Sequence, residues 1–154
     1  MPVKKAYDNI VKTVPRDLIR RHFLGLANGP EAFLTLRKVF SESLATLNIC
    51  SYVLGIGDRH LDNFLLGSSG QLIAIDFGYS FGIGVGLLPI PETTPFRFTR
   101  QYSEFLAPLG TNGTLFHCST RTMSCLRENR TRLLEVMEVF VNEPLVAILI
   151  NSST

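Results

Sequence analysis

The sequence predicts a mostly α-helical domain with a small β-hairpin at its centre, and two changes of pattern carry that reading. Phe33, Leu36, Phe40, Leu44, Leu47 and Leu54 recur at three-, four- and seven-residue intervals between Pro30 and Leu54, which marks one face of a long helix. Just beyond it the period breaks, and NFLL-GSSG-QLIAI reads apolar, turn, apolar, a hairpin over 63–75. With 45% apolar and 18% charged side chains in 154 residues, the chain suits one folded domain with a real core, and disorder is excluded.

The elements follow in order. PRDLIRRHFLGLANG (15–29) predicts a short helix, with Pro15 suited to its first turn and Asn28-Gly29 to its end. The 30–54 stripe carries few charges, so that helix is expected to run buried through the middle and to stop at Gly55 and Gly57. In the hairpin, pairing Leu66 with Gln71 sets Asn63 nearly opposite Ala74 and brings Asp76 out beside Leu61. Residues 76–95 carry Gly78, Gly82, Gly84, Gly86, Pro89, Pro91 and Pro95 and read as a long irregular loop, of a kind often functional. Three more helices are expected at 98–109, around 114–127 and over 130–144, the last closed by Glu143-Pro144. No repeat or boundary divides the chain, so 1–154 is one domain.

Charge and cysteines narrow the classes. A net charge of +2 is too small to argue for nucleic acid or a membrane surface. Cys50, Cys118 and Cys125 make no paired framework, and Cys118 and Cys125 with His117 lack a fourth zinc ligand, so buried free thiols in a reducing compartment fit best. The apolar run LVAILI at 145–150 is too short to span a bilayer.

The chemistry is crowded into GIGDRHLDNFLL, residues 55–66, where four ionisable groups and an amide fall within six residues. Taken singly, Asp58-Arg59 is a loop ion pair, His60 a packed histidine, Asp62 an exposed charge and Asn63 a turn former. Together, Asn63 and Asp76 leave one end of one hairpin, whose strands lie about 4.8 Å apart. Two such oxygens suit a hard cation such as magnesium, which takes one or two protein carboxylates plus phosphate oxygens and water. Asp58 and Asn63 also stand at the D-x-x-x-x-N spacing of a kinase catalytic loop, and Asp76-Phe77-Gly78 is the kinase D-F-G. The glycines at 78–86 lack the strand before and helix after that a dinucleotide cradle needs.

GDRHLDNFLL with AIDFGYSFG resembles the phosphatidylinositol 3- and 4-kinase superfamily, and PETTPFRFTR (91–100) resembles its protein-kinase branch, the phosphatidylinositol 3-kinase-related protein kinases. Residues 4–66 are similar to the DNA-dependent members of that branch, with the likeness close over 4–110 and looser over 111–144. The resemblance implies the C-terminal lobe of a protein-kinase-like fold, with 55–63 as catalytic loop, 76–95 as activation loop and 145–154 as a tail outside the family pattern. It implies Asp58 and His60 as catalytic residues, Asn63 and Asp76 as magnesium ligands that hold the ATP phosphates, and Phe77, Gly78 and Tyr79 in the activation loop. ATP and Mg2+ would be the cofactors, and protein Ser or Thr, favoured before Gln, the substrate. The nucleus would be the site of action, in double-strand-break repair by end joining. Partners would be the Ku heterodimer and DNA ends, reached through other parts of a larger parent, with no membrane.

No strand carries the lysine of a kinase N-lobe, and the nearest candidate, Lys38, lies in the long helix. The N-lobe is therefore expected to be absent, the chain to be a fragment, and the isolated chain to be inactive. The alternative is a C-lobe-only protein that binds a partner or competes with a full kinase.

Overall fold

The structure, a computed structural model, describes residues 2–82, 84, 88, 92 and 94–142. Among the described residues six helices, α1 (Pro2–Thr13), α2 (Leu18–Leu26), α3 (Pro30–Leu54), α4 (Arg100–Phe105), α5 (Thr114–Glu128) and α6 (Arg130–Val141), accompany one antiparallel pair, β1 (Phe64–Leu66) and β2 (Leu72–Ala74). Short 3-10 turns occupy Leu61–Asn63 and Gly110–Asn112.

The stripe expected on α3 is its buried face. Pro30, whose fixed φ suits a helix start, opens the helix, and Gly55 ends it in the left-handed conformation. Phe40, Leu44 and Ala45 are fully buried and meet Phe23 of α2, Leu72 of β2, Tyr102 and Phe105 of α4 and Leu115 of α5. Aromatic rings dominate this core. Phe23 stacks on Phe105 at 4.9 Å, and Phe40 meets Phe105 edge-on at 5.1 Å and Tyr102 at 5.4 Å. Such offset and edge contacts add about 0.5–1.5 kcal/mol per pair beyond burial.

Two expected helix bounds need correction, and one helix was not expected. Residues 2–13 form a helix that the sequence did not suggest, and it is tied down from a distance by Arg100 and Gln101, whose side chains donate to the Val14 and Pro15 carbonyls. The helix expected over 15–29 is shorter, Leu18–Leu26: its first backbone bond runs from the Arg21 amide to the Asp17 carbonyl, and its last from the Ala27 amide to the Phe23 carbonyl. The helix expected over 98–109 runs only from Arg100 to Phe105, capped by the Thr99 hydroxyl accepting from the Tyr102 amide. Pro108 offers no amide and disfavours helix at Ala107, whose carbonyl accepts from Arg37. The last helix ends at Val141, and its expected stop at Glu143-Pro144 lies outside the described residues, as does the 145–154 tail.

The hairpin is real, but its register is one residue off the expected pairing. Leu66 faces Leu72, not Gln71, because Gly67 and Gln71 close the ladder and Ser68-Ser69-Gly70 make the turn. Gly70 has φ of 99°, and a Cβ there would come 2.6 Å from the Leu36 carbonyl oxygen, so only glycine fits between the turn and α3. The shift places Asn63 opposite Ile75, whose amide donates to the Asn63 carbonyl, and not opposite Ala74. It also turns Leu72 into the core and leaves Leu65 and Ile73 exposed.

Phe40→Ala should cost about 3–5 kcal/mol of stability by urea unfolding. Leu134→Ala, on an exposed position of α6, should stay within about 0.5 kcal/mol.

Candidate functional site

The site begins where α3 stops. From Gly55 the chain runs beside residues 79–82: the Phe81 amide donates to the Leu54 carbonyl, Gly82 to Gly55, and Gly57 to Tyr79. This backbone-to-backbone approach explains the glycines, since a Cβ on Gly55 would meet the Gly82 nitrogen at 2.8 Å. The end of the buried helix is thus stitched to the stretch following Asp76-Phe77-Gly78.

Asp58 sits in this stitched turn with φ of 55°, a conformation non-glycine residues seldom adopt. The Asn63 amide closes over it, with Nδ2 donating to the Asp58 carbonyl at 2.8 Å and lying 3.4 Å from its carboxylate. His60 Nε2 lies 3.7 Å from Asp58 Oδ2 on an exposed ring, so His60 is neither packed nor buried. Asp62 is an exposed charge.

Arg59 points the other way. It is only 7% exposed, and its Nη2 donates to the Thr94 carbonyl at 2.5 Å and pairs with Glu92 Oε2 at 3.1 Å. The Arg59 amide donates to the other Glu92 oxygen at 3.0 Å, and Arg97 Nη1 donates to the Arg59 carbonyl at 2.9 Å. Sequence reasoning missed Glu92. The available signal was that it is the single acid between Asp76 and Glu104, and a buried arginine needs one.

Asp76 also has positive φ, 60°, and its Oδ1 accepts from the Gly78 amide at 3.2 Å. It follows the hairpin bond between Ile75 and Asn63, so both side chains belong to one end of the hairpin. With Nδ2 engaged by Asp58, Asn63 has Oδ1 without a donor among the described residues, and Asp76 Oδ2 likewise. Two hard oxygens fit a magnesium ion that takes its other ligands from phosphates and water. Among the described residues no cluster of three His, Cys, Asp or Glu could hold a metal by itself.

Phe77 and Tyr79 lie on either side of Gly78, Phe77 exposed and Tyr79 half-buried. Phe77 lines a cavity of about 800 Å3 with Cys50, Leu54, Ile56, Leu72 and Phe140. Burial in this apolar wall pushes the Cys50 thiol above its ordinary pKa. Burial likewise raises the Tyr102 hydroxyl, with the Arg97 charge acting the other way. Of the expected activation loop, residues 83, 85–87, 89–91 and 93 lie outside the described residues. No helix among the described residues is long and apolar enough to cross a membrane.

This geometry has relatives. The family described as phosphatidylinositol 3- and 4-kinase matches residues 3–150, a span that runs into the expected tail. The DNA-dependent protein kinase catalytic subunit of Dictyostelium discoideum is 48% identical over 134 residues, covering 86% of this chain and 3% of that protein. The serine/threonine-protein kinase TEL1 of Cryptococcus neoformans is 39% identical over 131 residues, covering 84% of this chain and 4% of that protein. A solved structure, the FAT and kinase domain of CtTel1, superposes with a TM-score of 0.70 at 32% identity, over 75% of this chain and 8% of that one. The chain therefore spans a few hundredths of the length of the relatives it matches.

Only thiolate reacts readily with iodoacetamide, so at pH 8 the exposed Cys125 should alkylate first and Cys50 last, as peptide mass spectrometry would record. Equal rates would mean that Cys50 is not held in an apolar wall.

Proposed function

Because the chain belongs to the phosphatidylinositol 3- and 4-kinase family, within its protein-kinase-related branch, we propose that it supplies the catalytic lobe for phosphoryl transfer from ATP to protein Ser or Thr. One observation carries the reading: Asn63 closes by hydrogen bond onto Asp58 at the kinase spacing, while Asp76 follows from the same hairpin end.

Asp58 orients the substrate hydroxyl and accepts its proton, and His60, beside the same carboxylate, assists at that position. Asn63 Oδ1 and the Asp76 carboxylate would hold a magnesium ion that comes with the nucleotide. When bound, magnesium neutralises charge on the transferring phosphoryl group. Phosphoryl transfer asks the protein mainly for positioning and electrostatics, and the hydrogen-bonded turn supplies the first. Phe77, Gly78 and Tyr79 lead from the metal position into the activation loop.

Similarity to the DNA-dependent protein kinase catalytic subunit extends the proposal to a nuclear parent acting at DNA ends with Ku, in repair of double-strand breaks by end joining, on Ser or Thr before Gln. Neither described strand carries a lysine that could reach the phosphates, which supports the reading that these 154 residues alone transfer no phosphate. The cavity beside Phe77 supports a second reading, a lobe that binds a partner or competes with a complete kinase.

The test is to isolate the endogenous protein with an antibody to residues 31–50 and offer it ATP with a Ser-Gln peptide or phosphoinositide vesicles. A large protein that labels the peptide, with Asp58→Asn slowing it by about 100-fold or more, supports the kinase reading. Labelling of lipid instead contradicts the protein-kinase branch. A band near 17.2 kDa with no transfer favours the binding lobe.

A further inference from the structure

We propose that Glu92 is a positioning residue for Asp58: its carboxylate fixes the Asp58–Arg59 peptide in the orientation that holds Asp58 in its left-handed conformation. The catalytic consequence rests on the reading that Asp58 handles the substrate hydroxyl.

A non-glycine residue at φ of 55° persists only where its surroundings determine it. Here the peptide following Asp58 is gripped at both ends. Its carbonyl accepts from Asn63 Nδ2 at 2.8 Å, and its amide, that of Arg59, donates to Glu92 Oε1 at 3.0 Å. Without either partner the peptide plane can turn, and the Asp58 carboxylate turns with it. Asn63 is local, five residues on, whereas Glu92 comes from 33 residues away. Its grip therefore makes the catalytic turn depend on how the end of the proposed activation loop is seated.

The second Glu92 oxygen accepts from Arg59 Nη2 at 3.1 Å, so one carboxylate holds both the main chain and the side chain of the same residue. Thr94, through its carbonyl, and Arg97, through its guanidinium, complete the seat around Arg59. Gly57 makes room: a Cβ there would lie 3.3 Å from Glu92 Oε2 and 3.1 Å from the Tyr79 carbonyl oxygen. The negative charge of Glu92 is matched by Arg59, so its influence on Asp58 passes through the peptide and not through charge.

That distinction sets the test, made in the complete endogenous protein carrying each substitution. Glu92→Gln keeps an acceptor for the Arg59 amide and removes the charge, so it should retain most turnover and slow exchange of that amide with deuterium. Glu92→Ala should lower kcat roughly 100-fold with KM for ATP unchanged, and the Arg59 amide should exchange fast. Because Glu92→Ala strands a buried arginine, the double change Arg59→Met with Glu92→Met removes both charges. It should fold, and should still show the low kcat and the fast amide.

Three results would overturn the proposal: full turnover in the double variant, a slow amide in its absence of Glu92, or loss of turnover in Glu92→Gln equal to that in Glu92→Ala. If the wild-type protein transfers no phosphate, the functional reading fails by itself, and the exchange of the Arg59 amide still decides whether Glu92 sets the turn.

Discussion

Everything in this structure hangs on the burial of one helix face. Phe40 is fully enclosed at the meeting of α2, α3 and α4, and the rings of Phe23, Tyr102 and Phe105 close around it. Each face of that contact comes from a different stretch of chain, so no single element can form the core alone. Once α3 is held, its C-terminal end is fixed, and Gly55 delivers the following turn to a set place. The hairpin is fixed by the same helix, through buried Leu72 and through Gly70 lying against the Leu36 backbone.

The site is therefore a meeting of two fixed ends. One is the stop of α3, the other the base of the hairpin, and the Asn63 side chain donates across the gap to the Asp58 carbonyl. Residues 79–82 are laid against Leu54, Gly55 and Gly57 by backbone bonds, which ties the D-F-G stretch to the turn without side chains. Both Asp58 and Asp76 sit at positive φ, so the two carboxylates assigned to chemistry stand on strained backbone. Strain of this kind collects where function demands a particular direction of a side chain, and here the surrounding bonds hold it.

The parts legible in the sequence were those written locally. The stripe of α3 is a repeat along one helix, the hairpin a change of period, and the Asp58, Asn63 and Asp76 set a matter of spacing. The parts that were not legible depend on distant partners. α1 is tethered by Arg100 and Gln101, 86 residues away from the Val14 and Pro15 carbonyls that accept from them. The hairpin register turned on whether Gln71 belongs to the strand or to the turn, and the close approach of Leu36 to Gly70 is invisible in the sequence. Arg97 reaches across 38 residues to the Arg59 carbonyl, a partner its own stretch of sequence does not name. Glu92 escaped notice because an acid in a proline-rich loop looks solvated until its arginine is seen.

In the proposed reaction Asp76 would hold the metal that accompanies ATP, and the most direct measurement exchanges its donor atom. With Asp76→Cys in the complete protein, transfer to a Ser-Gln peptide should vanish with magnesium, which prefers hard oxygen, and return in part with manganese or cadmium, which accept thiolate. Undiminished transfer with magnesium would contradict the account, because Asp76 would then hold no metal in the reaction.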